Sequence, residues 1–117
     1  MRIELKESAT IFTGGLLTLK KDRIALPGGR EADREYVIFG RSVLLVPITD
    51  DQRVVLVNQY RHPTGGFILE LPAGKVEDCE APETAAAREL LEETGYRAGE
   101  LVKFGEFYLA PGYSNEL

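Results

Sequence analysis

Leu71-Pro72-Ala73-Gly74-Lys75-Val76-Glu77-Asp78-Cys79-Glu80 leads into Ala81-Pro82-Glu83-Thr84-Ala85-Ala86-Ala87-Arg88-Glu89-Leu90-Leu91-Glu92-Glu93-Thr94-Gly95-Tyr96. The second half reads as one helix, from about Pro82 to Thr94. Pro82 suits the first helical position, where its missing N–H is no loss, and Glu83 complements the positive end of the helix dipole. Gly95 is a good residue to follow the last turn, since it accepts the left-handed conformation. Ala81 offers no side-chain acceptor, so the start is less sharply marked than the end. At 100° per residue, Ala86, Ala87, Leu90 and Leu91 fall on one side and make a modest apolar face. Glu89, Glu92 and Glu93 share an arc of about 100° on another side. Like charges three and four residues apart repel by a few tenths of a kcal/mol. A bound cation turns that repulsion into coordination, and Arg88, four residues before Glu92, can hold one carboxylate in place. Taken alone, three glutamates on an arc describe a solvated acidic face. A glycine loop running from a strand toward that helix changes the weighing. Such a loop can present a backbone carbonyl to a metal and N–H groups to phosphates.

The residues before this stretch read as strands. Ile3 and Leu5 alternate with polar neighbours. Ile11 to Leu19 is rich in β-formers but broken by Gly14-Gly15, which marks a bulge or bend. Lys20-Lys21-Asp22 reads as a turn, and Arg23 to Leu26 as a short strand stopped by Pro27-Gly28-Gly29. Arg34 to Phe39 is a further strand. Val43-Leu44-Leu45-Val46 and Val54-Val55-Leu56-Val57, joined through Asp50-Asp51, read as a hairpin buried on both faces. Phe67 to Leu71 and Leu101 to Leu109 complete the strands. Strands, one helix and strands again imply an α+β or α/β domain.

Composition excludes several classes. The chain has 117 residues, 44% hydrophobic and 28% charged, the balance of an ordinary globular domain. Fourteen basic residues against nineteen acidic leave a net charge of −5, which argues against nucleic acid or an anionic membrane as partner. The longest apolar stretch, Ser42 to Ile48, is far too short to span a bilayer. Cys79, the single cysteine, cannot form an internal disulfide, so a reducing, cytoplasmic compartment is expected. With one His and one Cys, any metal should be a hard cation held by oxygen.

Gly74, Glu80, Arg88, Glu89, Leu90, Glu92, Glu93 and Gly95 stand in the spacing of the Nudix box, G-x5-E-x7-R-E-U-x-E-E-x-G-U, with U a bulky aliphatic residue. Tyr96 at the last U position is a mild departure. The stretch therefore resembles the Nudix hydrolases. Arg34-Glu35, Gln59-Tyr60-Arg61, Glu70 to Lys75, and Pro111-Gly112-Tyr113-Ser114-Asn115-Glu116 look like the ADP-ribose pyrophosphatase branch, in which a proline follows the box at the distance of Pro111.

The resemblance implies a Nudix α/β/α sandwich with a mixed sheet over residues 41–117, preceded by antiparallel N-terminal strands over residues 1–40. Those strands would serve dimerisation and cover the substrate. It implies hydrolysis of ADP-ribose to AMP and ribose 5-phosphate with Mg²⁺, or Mn²⁺ in its place, by a homodimer. By similarity, Glu89 and Glu93 are metal ligands, Glu92 is a third, and Ala73 gives its backbone carbonyl. Arg88 orients a carboxylate, and Glu80 ties down the loop. Arg61 meets the diphosphate, while Arg34, Glu35 and Glu116 touch substrate. Arg34 and Glu35 are adjacent on a strand, so their side chains should point to opposite faces. Members of this branch continue past the Pro-Gly segment, so a longer chain is expected, with its general base in that further portion. Other readings are a Nudix hydrolase of GDP-mannose or another nucleotide sugar, and a catalytically silent nucleotide-binding module.

Overall fold

A computed structural model describes residues 2–117. Three strands, β1 (Glu4–Thr13), β2 (Thr18–Ala25) and β3 (Glu31–Ile38), form an antiparallel meander in the order β1-β2-β3. Gly14 N donates to Leu17 O at 2.8 Å and closes the first turn, at the expected bend. The second turn is closed by Leu26 N donating to Arg30 O at 2.7 Å. Gly28 and Gly29 sit there at φ of 95° and 87°, a region that L side chains rarely adopt. The turn expected at Lys20-Lys21-Asp22 is instead the middle of β2. Cross-strand partners make the strand acceptable to these polar residues. Lys20 Nζ donates to Thr10 Oγ1 at 3.3 Å, Tyr36 Oη donates to Asp22 Oδ2 at 2.9 Å, and Lys21 pairs with Asp33 at 3.6 Å.

The residues up to Gly40 group with Glu106–Leu117 as one compact unit. Val37 N donates to Tyr113 O at 2.7 Å, and Asn115 N donates to Val37 O at 3.1 Å. Asn115 Oδ1 accepts from Phe39 N at 2.8 Å and Gly40 N at 3.3 Å. These bonds lay the segment after Pro111 along the end of β3.

Arg41–Gly105 forms the second unit. Here β4 (Ser42–Leu44) pairs antiparallel with β7 (Ala73–Lys75), and β5 (Val57–Arg61) pairs antiparallel with β6 (Gly66–Glu70). Helix α1 (Pro82–Thr94) packs on β7 and β4. The hairpin expected between Val43–Val46 and Val54–Val57 is not a ladder. Only a bridge joins Ile48 to Val54, with Val55 N donating to Pro47 O at 3.0 Å. Pro47 has no N–H and so cannot donate to a ladder, while β4 takes its partner from β7. Leu44, Val46, Val54 and Leu56 are accordingly exposed rather than buried on both faces. Leu101 to Leu109 forms no strand either, and Val102 and Phe104 are 70% and 84% exposed. A β-rich pattern makes a strand only where a partner supplies hydrogen bonds.

Helix α1 matches its expected bounds. Ala81 gives no side-chain cap, whereas Gly95 adopts φ 77° and donates its N–H to Leu91 O at 2.9 Å. Its buried face differs from the expected one: Ala85, Glu89 and Leu90 are buried, and Leu91 is exposed. With Leu45 and Pro72 these residues form the core of the unit. Full burial of a leucine side chain contributes about 1.5–3 kcal/mol. Among the described residues, three antiparallel sheets and one α-helix make the chain α+β. Among the described residues no helix is long and apolar enough to cross a membrane.

Candidate active site

The helix and the loop before it converge on Gly74. Glu89 is 8% exposed, and a Cβ placed on Gly74 would lie 1.9 Å from the Glu89 Cδ. Only glycine lets the carboxylate come this close to the β7 backbone beside Ala73.

Arg88 holds the surroundings together. Its Nε and Nη2 donate to Glu80 Oε2 and Oε1 at 2.7 and 2.8 Å. Nη1 donates to Glu89 Oε1 at 2.8 Å and Glu92 Oε2 at 3.2 Å, and Nη2 also donates to Lys75 O at 3.1 Å. A guanidinium has five N–H donors, and these five bonds employ all of them. The Arg88 guanidinium and the Glu77 backbone hold the Glu80 carboxyl down at about 2, and Glu80 in turn holds the Arg88 pKa above its ordinary value. Glu77 N donates to Glu80 Oε1 at 3.1 Å, so the same carboxylate closes the loop that precedes the helix.

The other sequence-predicted residues are divided between the two units. Glu93 is exposed and lines a cleft of about 370 Å³ with Val57, Asn58 and Gln59. Arg61, at the end of β5, donates from Nε and Nη2 to Glu70 Oε1 and Oε2 at 2.7 and 2.6 Å. This bond, with its coulombic attraction, lowers the Glu70 pKa. Arg34 and Glu35 lie on β3 and Glu116 near the end of the chain, all three in the unit of the N-terminal strands. Arg34 stands opposite Asp22 and Glu35 opposite Lys21, so the two side chains do face opposite ways. Arg34 Nη1 donates to Asp33 O at 2.9 Å, and Glu116 N donates to Ser114 Oγ at 3.1 Å.

Carboxylates and a backbone carbonyl are the donors a hard divalent cation takes, and the absence of a side chain at Gly74 makes room for the most buried of these carboxylates, Glu89. Among the described residues no three acidic, His or Cys side chains are gathered as a ready metal-holding group. Arg88 draws one oxygen each of Glu89 and Glu92 to itself.

The NUDIX domain family matches residues 38–115. The chain belongs to the Nudix family. A relative named ADP-ribose pyrophosphatase, from Bacillus subtilis (strain 168), is 41% identical over 107 residues, covering 92% of this chain and 58% of the relative. A methanol dehydrogenase activator of Bacillus methanolicus is 39% identical over the same shares of the two chains. A solved ADP compounds hydrolase superposes with a TM-score of 0.87 at 25% identity, over 99% of this chain and 63% of its own. The chain thus spans less than two thirds of the length of these relatives. Nudix hydrolases generally use divalent metals, which agrees with the oxygen donors of this Nudix stretch. The sequence reading gave the box residues and missed Glu70, the partner of Arg61. The signal was available, because in a β5–β6 hairpin turning at His62–Thr64 both residues fall on one face.

Proposed function

We propose that this chain hydrolyses the diphosphate of ADP-ribose to AMP and ribose 5-phosphate, using Mg²⁺, with Mn²⁺ as a substitute. The likeness to an ADP-ribose pyrophosphatase over 92% of the chain carries the substrate. The Glu89 carboxylate, seated on Gly74 and bonded by Arg88, supports the chemistry. Water adds through its oxygen to one phosphorus, the bond from that phosphorus to the bridging oxygen breaks, and the leaving phosphate carries the displaced charge. The cation, when bound, supplies Lewis acidity at the phosphate oxygens and lowers the pKa of water. Glu89, Glu93 and the Ala73 carbonyl would hold it, with Glu92 as a third carboxylate. Arg88 keeps Glu89 in one rotamer and, with every N–H engaged, leaves substrate binding to other groups. Arg61 offers a half-exposed guanidinium to the diphosphate. The resemblance also assigns substrate contact to Arg34, Glu35 and Glu116, of which Arg34 and Glu35 face opposite ways on β3, so that at most one of those two would enter a given pocket directly.

A homodimer formed through the N-terminal strands belongs to the same proposal, supported by the resemblance and by a β1 exposed along its whole length. A cytoplasmic location is supported by the single exposed cysteine.

The test is AMP release from ADP-ribose, with and without Mg²⁺, by the protein and its Glu93→Gln variant. Mg²⁺-dependent release that falls at least a hundredfold in the variant is expected; equal release from both would refute the metal role of Glu93. Absence of release from ADP-ribose alongside turnover of GDP-mannose would move the substrate to another nucleotide sugar.

A further inference from the structure

The β5–β6 hairpin carries a charge pair with a specific shape. Arg61 stands opposite Gly66, where no side chain occupies the neighbouring position, and Glu70 stands opposite Val57. Alternation along each strand places Arg61, Gln59 and Val57 on the same face as Gly66, Ile68 and Glu70. The arginine side chain runs along this face and meets both carboxylate oxygens of Glu70, at 2.7 Å from Nε and 2.6 Å from Nη2. Two parallel bonds fix the plane of the guanidinium as well as its position. The Glu70 side chain is 21% exposed and that of Arg61 49%. The carboxylate is therefore the sheltered end of the pair and the guanidinium the end that solvent, or a solvent-borne anion, reaches. Exposed ion pairs contribute little to stability as a rule, so stability alone gives a weak reason for this geometry.

We infer that Glu70 is a positioning residue, which holds the Arg61 guanidinium in the orientation that receives a phosphate oxygen of the diphosphate. The inference rests on the reading above, in which Arg61 meets the diphosphate. An unheld arginine must lose its rotamer freedom when an anion binds, whereas Arg61 has already lost it in the free protein. Glu70 also repels the incoming anion, so substituting a neutral residue mixes two opposite effects. Glu70→Asp separates them, because it keeps the charge and shortens the reach by one methylene.

The experiment measures inorganic pyrophosphate binding to the full-length protein by calorimetry in the presence of Mg²⁺, beside steady-state hydrolysis of ADP-ribose. Glu70→Asp is expected to weaken pyrophosphate binding and raise KM by roughly three- to tenfold, with kcat changing less than about twofold. In an Arg61→Ala background the same substitution should have no further effect, which a merely structural role would not reproduce. Unchanged affinity in Glu70→Asp would overturn the inference, as would an equal loss in the presence and absence of Arg61. Failure of the wild-type protein to bind pyrophosphate would also overturn it. Wild-type pyrophosphate binding that weakens in Glu70→Asp, without any AMP release, would instead refute the ADP-ribose reading and leave the anion-orienting role standing. Melting curves confirm that each variant is folded before binding is compared.

Discussion

Gly74→Ala places a single methyl group at the most constrained point of the site. The new Cβ would lie 1.9 Å from Glu89 Cδ and 2.2 Å from its Oε2, far inside contact distance. Glu89 cannot swing away freely, since it is 8% exposed and its other oxygen is bonded to Arg88. Either β7 shifts away from the helix or the carboxylate leaves its place. Overpacking of this kind costs about 1–3 kcal/mol, which for a chain of this size lowers the melting temperature by roughly 5–15 °C. Turnover should fall further than stability does, because the carboxylate that moves is the proposed metal ligand. The assay pairs calorimetric melting with AMP release, and Gly99→Ala is the control, since a Cβ there meets nothing within 4 Å. A double-mutant cycle sharpens the test: in a Glu89→Ala background, Gly74→Ala should cost much less. An equal cost in both backgrounds, or a Gly74→Ala protein that melts and turns over as the wild type does, would refute the claim that glycine is required for Glu89.

Three further outcomes follow from the same geometry. Arg88→Lys should lower both melting temperature and turnover, because one ammonium offers three donors where five bonds are made; thermal melting and AMP release check this. Glu80 is held at about 2 in the folded protein, below an ordinary glutamate near 4.3. Its contribution to stability is complete above the unfolded value and is lost as pH falls through about 2, so Glu80→Gln should flatten the melting-temperature profile below about pH 5. Asn115→Ala should speed amide exchange at Phe39 and Gly40, whose N–H groups its Oδ1 accepts, while Asn115→Asp retains the acceptor and the protection. Exchange followed by NMR decides it.

The legible parts of the chain were those governed by local chemistry. Gly95 ends α1 and Pro27-Gly28-Gly29 ends β2 because each fixes the backbone within a few residues. The errors came where a distant partner decides. Lys20-Lys21-Asp22 is strand because Thr10, Asp33 and Tyr36 stand across from it. Val43–Val46 lost its expected partner because Pro47 interrupts the ladder and Ala73–Lys75 offers another edge. Periodicity put Leu91 inside and Glu89 outside. A glycine on a neighbouring strand reversed Glu89, and no pattern within the helix could show it. The box residues were readable because their spacing is itself the constraint. Glu70 is readable only once His62–Thr64 is taken as the turn of a hairpin and its register followed.

The clasp at Asn115 sets an order on biosynthesis. Phe39 and Asn115 are 76 positions apart in the chain. The unit of Arg41–Gly105 is contiguous and can close as soon as its own residues have left the ribosome. The N-terminal meander is synthesised first yet must wait for its last strap, with its end at Phe39-Gly40 uncapped in the meantime. Bringing those ends together across an already folded insert shortens the effective loop and reduces its entropic cost. Closure of the Arg41–Gly105 unit therefore shortens the span that Phe39 and Asn115 must bridge.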